Sequence, residues 1–332
     1  MPGSKLPSVR WLMRHFAVSL QTVSAAIERL ALEGLIVRKQ GSGLYVSPRP
    51  SRRAVVFVRT NHPSANFDLI ETGLRHACRM RQWALQVCRK EKDEDGIWIP
   101  SHLKPDVIIV MSDLVMSDLG ALRRLYPEPL PIVVVGTSGT APETDFVTTD
   151  DARGIEMLLE HLVGLGHRRI AFLNNEPPFP EVLERIRTFQ TLSRERFGLE
   201  QAAVIDCHLA PWGDVAVTAY DAIQKHPRAK LRELCSAIIV CSFPGAVAAI
   251  RALQDHGLNV PGEMSVASLN EEKYAEFFKP RPTTLWWNLE SVGEECLRVA
   301  ENRLSGAVAR CLGTRVQPIL HDRESSGRLM KA

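Results

Sequence analysis

Residues 5–46 read KLPSVRWLMRHFAVSLQTVSAAIERLALEGLIVRKQGSGLYV, and the spacing of their apolar side chains decides the local fold. Pro7 and Ser8 make a helix start. Val9, Leu12, Met13 and Phe16 then recur at i, i+3, i+4 and i+7, the period of one helical face. After a short break, Ser19 is placed to cap a second helix with Val23, Ala26, Ile27 and Leu30 as its buried stripe. Leu20, Gln21, Thr22 and Ser24 fall near its exposed first turn, and Gly34 ends it. Two short strands, Leu35 to Arg38 and Leu44 to Ser47, flank Gln40-Gly41-Ser42-Gly43, whose glycines accept the positive φ of a tight turn. Two uses fit this order of helix, turn, helix and ribbon: a second helix that enters a DNA major groove, or a helical hairpin whose ribbon serves dimerisation.

The words of the stretch separate these uses. The LPS start, the F-x-V-S turn, the Thr22-Val23 pair, the EGLI junction and the G-S-G tip closely resemble the DNA-binding domain of the GntR family. The resemblance implies a winged helix-turn-helix over residues 1–48 with its second helix in the major groove and Arg10 on phosphate or base. It also implies a wing around Gly41 that approaches the minor groove or backbone. Expected DNA contacts are Arg10, Ser19, Gln21, Thr22, Ser24, Lys39 and Gly41. Three departures stand out. Leu20 and Ser24 occupy places where the family usually has arginines, and each phosphate left without its cation flattens the salt dependence by about 0.9 in log-log slope. Ala17 stands where a left-handed glycine is usual, at about 1 kcal/mol if it adopts that conformation. The family's helix before the LPS start has no counterpart in Met1 to Lys5, which leaves two readings: a trimmed domain, or a true start that lies upstream.

Over 332 residues, 41 Lys and Arg nearly balance 38 Asp and Glu, so net charge alone predicts no nucleic-acid binding. The first 53 residues differ. Lys5, Arg10, Arg14, Arg29, Arg38, Lys39, Arg49, Arg52 and Arg53 there oppose only Glu28 and Glu33. Seven scattered cysteines without C-x-x-C spacing fit a reducing compartment and argue against zinc. The start of the chain carries no apolar signal core, and no apolar run approaches the roughly 20 residues of a membrane span. A cytoplasmic protein with no membrane partner is expected.

Residues 49–53, within the run Ser47-Pro48-Arg49-Pro50-Ser51-Arg52-Arg53, form a stiff basic linker, either a hinge touching phosphates or a plain surface connection. Beyond it, β-branched runs alternate with amphipathic stretches. Strands are predicted at 55–58, 84–88, 107–111, 132–136, 170–174, 204–207, 237–240 and 265–269. Helices are predicted at 67–81, 153–165, 181–197, 215–225, 246–256 and 290–304. Such alternation predicts an α/β fold with parallel sheets covered by helices on both faces. The length suits two doubly wound lobes with a ligand cleft at the carboxyl ends of their strands.

Val147-Thr148-Thr149-Asp150, Gly166 to Phe172, Arg185 to Phe189, Gly257 to Pro261, Ser265 to Glu271 and Pro282 to Leu285 resemble the effector domain of the LacI/GalR family. The likeness covers residues 54–322 and implies a two-lobed, periplasmic-binding-protein-like fold. Lobe 1 is placed at about 54–147 and 287–312, lobe 2 at about 148–284 and 314–322, and a tail at 323–332. The chain is expected to cross between lobes near Val147, at 280–288 and at 311–314. A GntR head on a LacI-like body is the arrangement of AraR-type sugar-responsive repressors. The resemblance implies that Arg185 pairs effector oxygens, while Asn270 and Phe243 replace two aspartates common in the family's pocket. It places Asn66 and Phe67 on a polar or aromatic wall and Trp287 where an indole can stack on a sugar. Plainer roles also fit: Arg185 paired with Glu181 or Glu184, Phe243 and Trp287 in the core, Asn66 capping a helix. Loss of two carboxylates admits a less polar or anionic ligand, or none.

The expectation is a DNA-binding transcription regulator, a repressor by its arrangement, acting as a homodimer on double-stranded operator DNA. A small-molecule effector such as a sugar would control it, with no cofactor and no metal. Two alternatives remain: a ligand-independent regulator with a degenerate pocket, and a small-molecule-binding protein without DNA function. An enzyme is not expected, because the chain has no G-x-S-x-G elbow, P-loop or H-E-x-x-H, and His161, His167, His208, His226 and His256 lack ligand spacing.

Overall fold

Uninterrupted apolar runs such as Val107–Met111 and Ile132–Val135 are buried along their whole length, as strands of a helix-covered parallel sheet must be. They lie so in the computed structural model of the chain, which describes all residues except 1–2, 33–34, 40–41, 47–52, 62–63, 91–98, 100–102, 113–118, 128, 137–143, 200, 212, 308–311 and 330–332.

The N-terminal unit contains α1 (Val9–Phe16), α2 (Leu20–Leu32) and the antiparallel pair β1 (Ile36–Lys39) and β2 (Gly43–Val46). Ser8 caps α1 by accepting from Trp11 N at 3.2 Å, and Ser19 does the same for Thr22 N at 3.2 Å. Between the helices Ala17 is left-handed, with φ 52° and ψ 40°. Val23, Ile27, Ile36 and Leu44 form the small core, with Leu6, Val9, Leu12 and Met13 packed against it. Three positions expected on the apolar faces are corrected: Phe16 is 62% and Leu30 37% exposed, and Ala26 is exposed too, because the apolar faces are wider than the described elements cover. Residues 3–6 run antiparallel to β2, with Leu6 N donating to Leu44 O and Val46 N to Ser4 O, both at 2.8 Å. The few residues ahead of the first helix are therefore tied to the wing by a bridge between Lys5 and Tyr45.

Lobe 1 is a parallel sheet of β3 (Ala54–Thr60), β4 (Ala84–Lys90), β5 (Val107–Met111), β6 (Ile132–Val135), β7 (Asp145–Thr149) and β13 (Gly313–Val316), in the order β13-β7-β6-β5-β3-β4. Lobe 2 holds β8 (Arg169–Asn174), β9 (Gln201–Asp206), β10 (Ala237–Val240), β11 (Ser265–Ser268), β12 (Thr283–Trp286) and β14 (Ile319–His321), in the order β14-β12-β11-β10-β8-β9. Of these described strands only β14 is antiparallel to its neighbour. The helices that position the cleft are α3 (Ala65–Met80) in lobe 1, then α5 (Asp151–Gly164), α6 (Pro180–Glu195) and α9 (Phe243–Asp255) in lobe 2, and α10 (Leu289–Leu304) back in lobe 1; α4 (Leu119–Leu125), α7 (Val215–Gln224) and α8 (Arg228–Leu234) complete the set. The helices α3 and α10 touch backbone to backbone at paired glycines. A Cβ on Gly73 would lie 1.9 Å from Glu290 O and one on Gly293 2.4 Å from Leu74 N, so neither position admits a side chain.

Two boundary expectations are corrected. β13 pairs with β7 in lobe 1, so the last crossing falls at residues 317–318 rather than 311–314, and lobe 1 extends through Val316. Residues 323–329 are no tail: Ser325 Oγ accepts from Thr283 N at 2.8 Å and donates to Val266 O at 2.6 Å, stitching the segment into lobe 2. β7, β12, β13 and β14 were not among the predicted strands, being three to five residues long and rich in Thr or polar positions. Among the described residues, no helix is long and apolar enough to cross a membrane.

Candidate functional site

Both lobes share one winding. β3 lies between β4 and β5, and β8 between β9 and β10, so in each sheet the loops leaving the first and third strands turn to opposite faces and open a crevice at their carboxyl ends. The two crevices face each other. Lobe 1 contributes Asn66 and Phe67 after β3 and Ser112 after β5; lobe 2 contributes Glu176 after β8, Ser242 after β10 and Asn270 after β11. The outer part of the cleft is a cavity of about 330 Å³, the size of small-ligand pockets.

Five of the six residues expected at an effector line the cleft: Asn66, Phe67, Arg185, Asn270 and Trp287. Arg185 projects from α6 and is a fifth exposed, with Nε 2.5 Å from Asp151 Oδ2 and Nη1 2.8 Å from Glu176 Oε2. Its partners are therefore not the Glu181 or Glu184 that spacing along α6 suggested. Burial works against the guanidinium charge, but the carboxylates of Asp151 and Glu176 more than offset this and hold it charged well above the ordinary arginine range. Burial pushes the Glu176 carboxyl up; Arg185 opposes this while Asp151 and Glu181 add to it. Asn270 points its Oδ1 at Phe243 N, 2.6 Å away, and so caps α9. The Trp287 indole is 7% exposed and donates through Nε1 to Leu269 O at 2.9 Å, which fixes its plane. Gly154 makes room for that plane, since a Cβ there would lie 3.0 Å from the ring.

Phe243 does not line this cleft. It is 1% exposed and packs edge-on against Tyr274 and Phe278, 6.1 and 5.7 Å between centroids. Its backbone N–H, and not its ring, reaches the site residue Asn270. Sequence reasoning missed Asp151 and Glu176, and gave Glu181 only as a partner for Arg185. The first lies next to the quoted Val147–Asp150 motif and the last two flank the start of α6, but only the fold gathers them. Their presence corrects the expectation of a cleft depleted in carboxylates. Among the described residues no cluster of His, Cys, Asp and Glu is arranged to hold a metal.

The second candidate surface is on the N-terminal unit. Arg10, Ser19, Gln21 and Thr22 are exposed and Ser24 half-buried. Ser19 Oγ and Thr22 Oγ1 are 2.9 Å apart, which fixes both hydroxyls on the first turn of α2. Leu20 is 56% exposed on the same turn, an apolar tip where a cation would grip phosphate. Lys5, which sequence reasoning did not single out, stands over the Tyr45 ring at 5.9 Å beside the wing. Gly43 has φ 115°, and the Lys5 side chain lies 3.1 Å from where its Cβ would be. Gly41 and the side chain of Lys39 lie outside the described residues.

Residues 159–326 match the family described as periplasmic binding protein-like domain, and residues 1–46 match the bacterial regulatory proteins of the gntR family. The chain is 25% identical over 193 residues to the HTH-type transcriptional regulator reg1 of Streptomyces lividans, a match over 58% of the chain that spans only 55% of that relative's length. It is 23% identical over 303 residues to the arabinose metabolism transcriptional repressor of Geobacillus stearothermophilus, across 86% of this chain and 80% of the relative. The crystal structure of a LacI family transcriptional regulator from Bifidobacterium animalis subsp. lactis superposes with a TM-score of 0.71 at 18% identity, covering 84% of this chain and 100% of that one.

Proposed function

We propose, from the premise that the chain belongs to the periplasmic binding protein-like domain family and carries a gntR-type N-terminal unit, that it is a DNA-binding transcription regulator, acting as a repressor, whose hold on operator DNA is set by a small molecule in the interlobe cleft. The observation that carries this reading is one chain joining an exposed helix turn beside a wing to a cleft between two doubly wound lobes. A cleft that closes on a ligand changes the angle between lobes, and in a two-fold dimer that change alters the spacing of paired DNA readers.

On the DNA side, Gln21 and Thr22 are assigned to base edges, Arg10 to a phosphate, and Ser19 to holding the first turn of α2. Ser24, Lys39 and Gly41 are assigned to the same interface, a reading supported by their positions in the gntR pattern. On the effector side, Arg185 orients the ligand through the carboxylates it holds, and Asn66, Phe67, Asn270 and Trp287 complete the walls. Phe243 supports Asn270 from behind. This reading needs no catalytic group, consistent with relatives named as transcription regulators.

Genomic-fragment selection followed by a salt-titrated gel shift tests the reading. Enrichment of a two-fold symmetric sequence, with Arg10→Ala lowering the log-log salt slope by about 0.9, is expected. Failure to enrich any sequence over random DNA would overturn it.

A further inference from the structure

Ser19 and the seven residues of α2 that follow it, Leu20 to Ala26, carry no charge. All but Val23 and Ser24 are exposed. The helix end is held by its own cap: Ser19 Oγ accepts from Thr22 N at 3.2 Å and lies 2.9 Å from Thr22 Oγ1. Discrimination at this turn therefore falls to its side chains, and Leu20 is the unusual one. It stands three residues before Val23 and so continues the apolar stripe of α2, yet it is 56% exposed. The core of this unit, Val23, Ile27, Ile36 and Leu44 with Leu6, Val9, Leu12 and Met13 packed on it, does not include it.

An isobutyl group held out on the first turn of a groove-reading helix has one apolar counterpart in the major groove, the 5-methyl group of thymine. Gln21 beside it carries the amide that reads adenine. Guanine is read by Arg or Lys, and the first cation along α2 is Arg29, nine residues and roughly 13.5 Å further down the axis. The exposed Arg10 and Arg14 of α1 and Arg38 of β1 attract phosphates, which fixes register without reading sequence. Resting on the proposed role of α2 as the DNA reader, we infer that Leu20 is a specificity-determining residue that packs on the 5-methyl group of a thymine. An A·T pair then lies beneath the first turn of α2. The contact removes the methyl and the exposed face of Leu20 from water, an effect of about fourfold in affinity for one methyl. It displaces no counterion, so it leaves the salt dependence of binding as it is.

The test uses the DNA fragment that the full chain enriches, resynthesised with deoxyuridine in place of each thymine in turn, which deletes the methyl and leaves the base-pairing edge intact. At one thymine the parent protein is expected to lose about fourfold in affinity per half-site. Leu20→Ala, a change at an exposed position that should melt with the parent, is expected to bind the thymine duplex about fourfold more weakly and the thymine and uracil duplexes equally. Its log-log salt slope should match the parent's. Leu20→Met, still long and apolar, should keep the uracil effect. Unchanged binding by the parent at every uracil position overturns the inference, as does a uracil effect of equal size in the parent and in Leu20→Ala. Failure to enrich any sequence sinks the regulator reading and this inference with it, whereas enrichment without methyl dependence sinks this inference alone.

Discussion

Arg185 Nε lies 2.5 Å from Asp151 Oδ2, so the guanidinium of α6 is tied to the first residue of α5 at the point where the chain enters lobe 2. A forked cation in a ligand cleft is ordinarily read as a direct grip on an anion. Here its Nε and Nη1 are engaged within the protein, and it serves first to hold two carboxylates in place.

A double-mutant cycle measures that tie. Arg185→Met leaves Asp151 and Glu176 without their cation and should lower stability by about 1–3 kcal/mol. Asp151→Asn in the same background should restore part of the loss, giving a coupling of about 0.5–3 kcal/mol in denaturant unfolding. Additive effects would show that the pair contributes no mutual stabilisation.

Asn270 works as a helix cap as well as a cleft wall. Its Oδ1 accepts from Phe243 N at 2.6 Å, and Ser242 Oγ accepts from Gly245 N at 3.2 Å on the same helix end. Asn270→Ala is expected to cost about 1–2 kcal/mol, because a buried N–H loses its acceptor. Asn270→Asp keeps an acceptor and places negative charge at the helix N-terminus, so it should stay within about 0.5 kcal/mol of the parent. Equal losses in both variants, read as denaturant midpoints at constant m, would dismiss the cap.

The turn between α1 and α2 carries strain that a single substitution relieves. Ala17 sits at φ 52° and its N–H bonds to Met13 O. A left-handed alanine costs about 1–2 kcal/mol, while glycine loses roughly 0.4–1 kcal/mol more entropy on folding. Ala17→Gly should therefore stabilise the N-terminal unit by up to about 1 kcal/mol. Slower amide hydrogen exchange in α1 and α2 of the full chain is the expected readout, and faster exchange would contradict it.

Lobe 2 carries a buried histidine pinned by serines. His167 Nδ1 is 2.8 Å from Ser236 Oγ and Nε2 is 3.0 Å from Ser265 Oγ. Burial lowers its imidazole below the ordinary 6.5, against the bond to Gly327 O. The unfolded chain takes up a proton as pH falls through 6.5, whereas the folded chain resists until the lowered value is reached. This contribution is therefore complete above pH 6.5 and is lost as pH drops from 6.5 to the lowered value. His161, lowered by burial against the pull of Asp322, adds in the same direction. His167→Gln should reduce stability at neutral pH by about 1–3 kcal/mol and flatten its decline as pH falls below 6.5. An unchanged decline would assign the pH response elsewhere.

How far the sequence reaches can be judged element by element. Strands with long apolar runs, such as 107–111 and 237–240, were placed to the residue, because burial on both faces leaves a continuous hydrophobic signature. β7, β12, β13 and β14 have no such signature; they are short, and pairing with neighbours far along the chain defines them. Phe16 and Leu30 kept the right helical period and still lie exposed, since period states which face is apolar and not whether anything covers it.

The amino-acid sequence by itself determined the architecture: a basic N-terminal unit of helix, turn, helix and wing ahead of an α/β body of two doubly wound lobes. Local periodicity and turn chemistry suffice for that, because each element's pattern is carried within its own few turns. Only the tertiary structure decided the character of the cleft. Asp151, Glu176, Glu181 and Glu272 come from separate elements across 122 residues of chain, and only the folding of lobe 2 gathers them around Arg185. The field a ligand meets depends on distances in space, and those are set when the crossings at 150, 287 and 317 bring the two lobes face to face.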